Sequence, residues 1–148
     1  MSNFRELTDD FFASPQIEAA DVSDAKQIGI TLIVNNRPDG EEPTAPQGDE
    51  IASAAEAAGI DYLAIPVGHS GFSLPQVEAM ADALKANSGK VLGYCRSGTR
   101  STLLWAMARA KMGDAPDEIA AAAERGGYST SPVQPTIDML AREAQQGQ

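Results

Sequence analysis

The chain has 148 residues, a formal net charge of −10 and one cysteine. That length gives one domain with room for a real core. The acidity argues against nucleic acid as a partner, and the lone cysteine excludes an internal disulfide or a Cys-x-x-Cys pair. No basic, apolar leader opens the sequence, and no apolar run approaches the ~18 residues of a membrane helix. A cytoplasmic protein without a membrane partner is therefore expected.

Residues 4–17 read as an irregular, partly extended entry that buries Leu7, Phe11 and Phe12. Asp21, with Asp24 three residues on, predicts the N-cap of a short helix running to about Gln27. Ile30 to Val34 is apolar on both faces, as in a central parallel strand. The stretch from Asn35 to Gly48 is a long loop rich in proline, glycine and acid, and loops of that length are usually functional or disordered. Arg37, Asp39 and Glu41 are near-site candidates there, unless Arg37 and Asp39 merely pin a turn. Asp49 is the expected cap of a second helix, which Gly59 stops. Tyr62 to Val67 is the next expected strand, with Pro66 near its end. Ser73-Leu74-Pro75-Gln76 has the form of a capping box, opening a helix with Val77, Met80, Ala81 and Leu84 on one stripe.

The chain's most informative stretch follows. Val91 to Tyr94 is apolar and ends at Cys95. Arg96, Ser97, Gly98, Thr99, Arg100 and Ser101 come next, then an apolar helix expected from Thr102 to Met112. A strand–loop–helix of this kind leaves free N–H groups at the positive end of the helix dipole, where an anion collects several hydrogen bonds. A cation such as Arg100, about 4 Å away, is worth roughly 4 kcal/mol at an effective dielectric of about 20, enough to favour the thiolate. Cys95 is thus the expected nucleophile and Arg100 its cationic partner. Arg96, Ser97, Gly98, Thr99 and Ser101 form the expected anion-binding loop. Two more helices follow, from Asp114-Ala115-Pro116 to about Arg125 and from Ser131-Pro132 onward, with no further strand. One cysteine and one histidine cannot build a metal site without several carboxylates nearby, so no metal or other cofactor is expected.

The run from Cys95 to Ser101 resembles the active-site loop of rhodanese-type sulfurtransferases. It is also similar to the phosphate loop of cysteine-dependent phosphatases, which has five residues between Cys and Arg where this chain has four. Asn35-Asn36-Arg37-Pro38-Asp39-Gly40-Glu41, Tyr62-Leu63-Ala64-Ile65-Pro66-Val67 and the Cys95 loop together resemble the bacterial β-lactamase-hydrolase-like protein phosphatase-like family over roughly residues 5 to 140. The resemblance implies a three-layer α/β fold of cysteine-phosphatase type. Its sheet would be mainly parallel, with four or five strands and helices on both sides, and Ile30–Val34, Tyr62–Ile65 and Val91–Tyr94 inside it. A rhodanese-like fold is the alternative. Some members are fused to a metallo-β-lactamase-fold domain that handles persulfides, which implies a persulfide-handling enzyme as partner.

The scaffold reads as phosphatase-like and the loop length as rhodanese-like. A transferring phosphoryl group presents three oxygens, and a cradle one residue shorter offers one amide fewer. A phosphatase also uses a general acid for the leaving oxygen. The stretch Gly68-His69-Ser70-Gly71 holds no carboxylate, leaving His69 as a substitute, or simply an exposed loop histidine, and Asp39 as a weaker candidate. The main expectation is accordingly a sulfurtransferase. In it Cys95 becomes a persulfide on a small anionic donor such as thiosulfate and passes sulfur to a thiol, and the resemblance to phosphatase-like loops implies a hydroxyl at Ser101 that bonds the cysteine. Hydrolysis of phosphate esters through a phosphocysteine is the alternative, and an oxyanion or sulfide sensor the remote one.

Overall fold

The computed structural model describes residues 2–147. A five-stranded sheet in the order β1-β2-β5-β3-β4 forms its centre. The strands are β1 (Arg5–Thr8), β2 (Phe11–Ser14), β3 (Ile30–Asn35), β4 (Asp61–Ala64) and β5 (Lys90–Tyr94). Only the β1–β2 pair is antiparallel. The helices are α1 (Ala19–Gln27), α2 (Gly48–Ala58), α3 (Leu74–Ala86), α4 (Thr99–Lys111), α5 (Pro116–Arg125) and α6 (Gln134–Gln146).

Alternation along the strands divides the core. Phe11, Leu32, Val34 and Val91 face one side, with Trp105, Met107, Ile119, Ile137 and Leu140 from the later helices. Phe12, Ile33, Leu92 and Tyr94 face the other, over Val22, Ala25, Ile51 and Ala55 of α1 and α2. The period of two sends neighbouring apolar residues to opposite faces. Both faces are covered, as a parallel sheet requires. The rings of Phe11 and Trp105 stack at 5.3 Å between centroids, tying β2 to α4. No strand occurs between residues 114 and 145, and the cysteine-phosphatase-like architecture holds.

Four local expectations are corrected. The entry segment is not irregular: it is the hairpin β1–β2, whose second strand pairs with β5 from Phe11 to Ser14. Strand β4 lies at the sheet's edge, not inside it, and the exposure of Asp61 and Ala64 fits that position. Helix α1 is capped by Glu18 in a box with Asp21, three residues before the expected cap. Helix α2 starts after Gln47, and Asp49 lies within its first turn, where acid suits the dipole. The Ser73–Gln76 capping box is present as expected.

Candidate active site

Strands β3 and β5 are central and parallel, so their carboxyl ends deliver the Asn35 and Cys95 loops to one edge of the sheet. The N–H of Asn36 donates to the Tyr94 carbonyl at 2.9 Å, fixing the two exits together. Gly93 lies two residues before Cys95, where a Cβ would come within 3.1 Å of Phe11 and 3.3 Å of Ser101 on α4, tighter than ordinary packing. Its absence lets α4 close on the strand.

Cys95 is fully buried at the end of β5. Its own N–H donates to the Ser14 carbonyl at 3.3 Å, and its Sγ accepts the Gly98 N–H at 3.1 Å. Helix α4 begins at Thr99 and not at Thr102, because Gly98 takes a left-handed φ of 93° that reverses the chain at once. Arg100 and Ser101 therefore lie in the first helical turn. No side chain caps this helix. Among the described residues, the N–H groups of Arg96, Ser97, Arg100 and Ser101 have no protein acceptor. The Thr99 N–H makes only a 3.4 Å bond to the Ser97 hydroxyl. Five amides around one cysteine are thus free or weakly bound, which suits an anion.

Arg100 is locked in place. Its Nη1 donates to Glu41 Oε2 at 2.8 Å and to the Val67 carbonyl at 2.7 Å, and its Nη2 donates to Glu41 Oε1 at 2.7 Å. Arg37 Nε donates to the same Glu41 at 2.8 Å, and Arg37 Nη1 donates to Gln16 at 3.0 Å. Two guanidiniums share one carboxylate, so the group keeps a net positive charge. The bonds from Arg100, then from Arg37, outweigh burial and lower the Glu41 pKa to about 2. The bond to Glu41 outweighs burial, raises the Arg100 pKa further and keeps it charged.

The remaining candidates divide. Ser101 does not bond the cysteine: its hydroxyl donates to Asn36 Oδ1 at 2.7 Å, while Asn36 Nδ2 donates to the Ile65 carbonyl at 2.9 Å. A helical backbone carries residue 101 to the strand side, where buried Asn36 takes the hydroxyl. Asp39 neither pairs with Arg37 nor reaches the cysteine loop's hydrogen bonds. It accepts the Gly48 N–H at 2.8 Å and so serves the start of α2. Ser97 and Thr99 are exposed and share a 3.1 Å hydroxyl contact. Arg96 and His69 are exposed. Tyr128 and Gln16 escaped the sequence reading, and Asn36 entered it only as part of the Asn35–Glu41 motif. Tyr128 donates its hydroxyl to the Ser97 carbonyl at 3.1 Å from beyond α5.

The family model for the β-lactamase hydrolase-like protein, phosphatase-like domain, matches residues 3–112. The chain belongs to this family. A β-lactamase hydrolase-like protein of Agrobacterium fabrum is 36% identical over 91 residues, 62% of this chain and 21% of the relative. One from Xylella fastidiosa is 39% identical over 79 residues, 53% of this chain and 18% of the relative. The chain thus spans about a fifth of the length of the curated relatives it matches. Among solved structures, a Neisseria meningitidis protein described as a candidate phosphatase is 32% identical with TM-score 0.81, covering 95% of this chain and 99% of its own. PTPMT1 in complex with PI(5)P superposes with TM-score 0.75 at 16% identity, over 97% of both chains, which shows the fold alone. The phosphatase-like character expected from the scaffold stands. None of these relatives or structures supports the sulfurtransferase that the loop length suggested.

Proposed function

We propose that the chain is a cysteine-dependent hydrolase of phosphate monoesters. The observation that carries it is the arrangement at the start of α4. There Cys95 Sγ, the unpaired first-turn amides and the Glu41-locked Arg100 surround one small region at the sheet's carboxyl edge. A dianionic phosphate finds in such a region donors for its oxygens and a fixed cation for the charge that develops on them.

The Cys95 thiolate attacks phosphorus, the P–S bond forms, and the P–O bond to the leaving group breaks. Water then attacks phosphorus, the P–S bond breaks, and inorganic phosphate leaves with the thiolate regenerated. Cys95 has no exposed surface, so the loop must open around the incoming group. Asp39 accepts the Gly48 N–H at the start of α2 and His69 lies exposed, and the reading invokes no protein proton donor. The reading therefore favours esters whose leaving group departs as an anion. Steady-state hydrolysis of p-nitrophenyl phosphate tests it. Cys95→Ser is expected to lose on the order of 10⁴ or more in kcat, and retained turnover in that variant would reject the mechanism.

Sulfur transfer is kept as a second reading because of one observation, the four-residue spacing from Cys95 to Arg100. Mass spectrometry after thiosulfate treatment separates the two. A gain of about 32 Da on Cys95 marks a persulfide, and its appearance without ester hydrolysis would replace the phosphatase reading.

A further inference from the structure

The Ser97–Gly98 peptide is held from both ends. Its carbonyl oxygen accepts the Tyr128 hydroxyl at 3.1 Å, and its N–H donates to Cys95 Sγ at 3.1 Å. In a trans peptide the C=O and N–H point in opposite directions from one rigid plane. Fixing the oxygen therefore fixes the direction of the hydrogen. The geometry points to Tyr128 as a positioning residue that aims the Gly98 amide at the nucleophilic sulfur. The inference rests on Cys95 being the nucleophile, and it holds for either ester hydrolysis or sulfur transfer.

The surroundings support this. Tyr128 is 8% exposed, and the Arg5 guanidinium lies 5.4 Å from the centre of its ring while donating to the Gly126 carbonyl at 3.2 Å. The ring is thus packed under Arg5 with its hydroxyl on the Ser97 carbonyl. A Cβ on Gly98 would overlap the Tyr128 oxygen, so the tyrosine occupies the space that only glycine leaves open. Burial, partly offset by Arg5, holds the phenol above its usual pKa, and it remains a donor at neutral pH. The charged groups around the sulfur are Arg100 from α4, with Glu41 behind it, and Arg5 from β1 behind Tyr128. Tyr128 supplies no charge of its own. It acts on the thiolate through the amide, and it comes from the stretch beyond residues 3–112 that the family model matches.

Iodoacetamide alkylation of Cys95 reads this directly, at about pH 6.5 and about pH 9.5, on either side of an ordinary thiol's titration. Losing the aim of one amide on a charged acceptor should slow Tyr128→Phe about tenfold at the lower pH. At the higher pH it should match the wild type within about twofold. Ile119→Val, a buried truncation on α5 that leaves the hydroxyl in place, is expected to lower Tm while keeping the wild-type ratio of rates. If Tyr128→Phe keeps that ratio too, the inference is overturned. If the wild type reacts at the lower pH no faster than in guanidinium chloride, the nucleophile itself is refuted, which is a different failure. Should Tyr128→Phe not fold, the ¹⁵N-labelled wild type gives the answer. Its Gly98 amide proton should shift strongly on alkylation of Cys95, and an indifferent amide overturns the inference as well.

Discussion

The Cys95 loop is gripped on two flanks of opposite character. On one, Glu41 and Arg37 from the loop after β3 hold Arg100 with short ionic hydrogen bonds. On the other, Tyr128 from beyond α5 holds the Ser97 carbonyl with one neutral hydrogen bond. The ionic flank fixes a side chain and sets the local charge; the neutral flank fixes a peptide plane and sets a direction. Acid should undo the first and leave the second in place, because only the first contains a group that titrates in the acid range.

Three substitutions sharpen that contrast. The largest effect belongs to Arg100→Ala, which removes the guanidinium hydrogen-bonded to both Glu41 and the Val67 carbonyl. A fall of about 10²–10³ in kcat/KM for p-nitrophenyl phosphate is expected, and a loss under tenfold would mean that the ionic flank is merely structural. Glu41→Gln comes next. With the Glu41 pKa lowered to about 2 against an ordinary 4.5, its carboxylate contributes stability that is fully present above about 4.5 and is lost as pH falls towards 2. The stability difference between wild type and Glu41→Gln, from urea melts, should therefore shrink across that window. A difference that stays constant there would place the Glu41 contribution in packing alone. Smallest is Ser101→Ala, which leaves buried Asn36 Oδ1 without a donor. It should cost about 1–3 kcal/mol of stability, read as a shift in denaturation midpoint, with the alkylation rate of Cys95 unchanged. A slower alkylation would restore the bond to sulfur that the sequence suggested.

Cys95 and Arg100 stand out as candidates because they lie close together at the end of an apolar strand. Glu41 was half legible: its loop was conspicuously long and acidic, yet nothing local chose it over Asp39 as the partner of Arg37. Tyr128 could not be read. A hydroxyl meeting a carbonyl 31 positions away leaves no period, spacing or composition in the chain. The hairpin was missed for a related reason. Phe11 to Ser14 is buried on both faces, so the alternation that would mark a strand is absent. The edge position of β4 follows from crossover order, which no short segment encodes. The sulfur-transfer expectation leaned on loop length, whereas Gly98 starts α4 early and brings Arg100 to the site from a helical position.

The two flanks also differ in when they can exist. Glu41 and Arg37 precede Cys95 in the chain, and Tyr128 follows it. During synthesis from the N-terminus, the described partners of Arg100, Glu41 and Val67, have left the ribosome by the time Cys95 emerges. The partner of Ser97 has not, and its helix α5 must also form and dock on β1 before the tyrosine can reach the loop. A nascent chain thus carries the partners of Arg100 while Tyr128 is still to come, and the Cys95 loop is completed only as the last helices close.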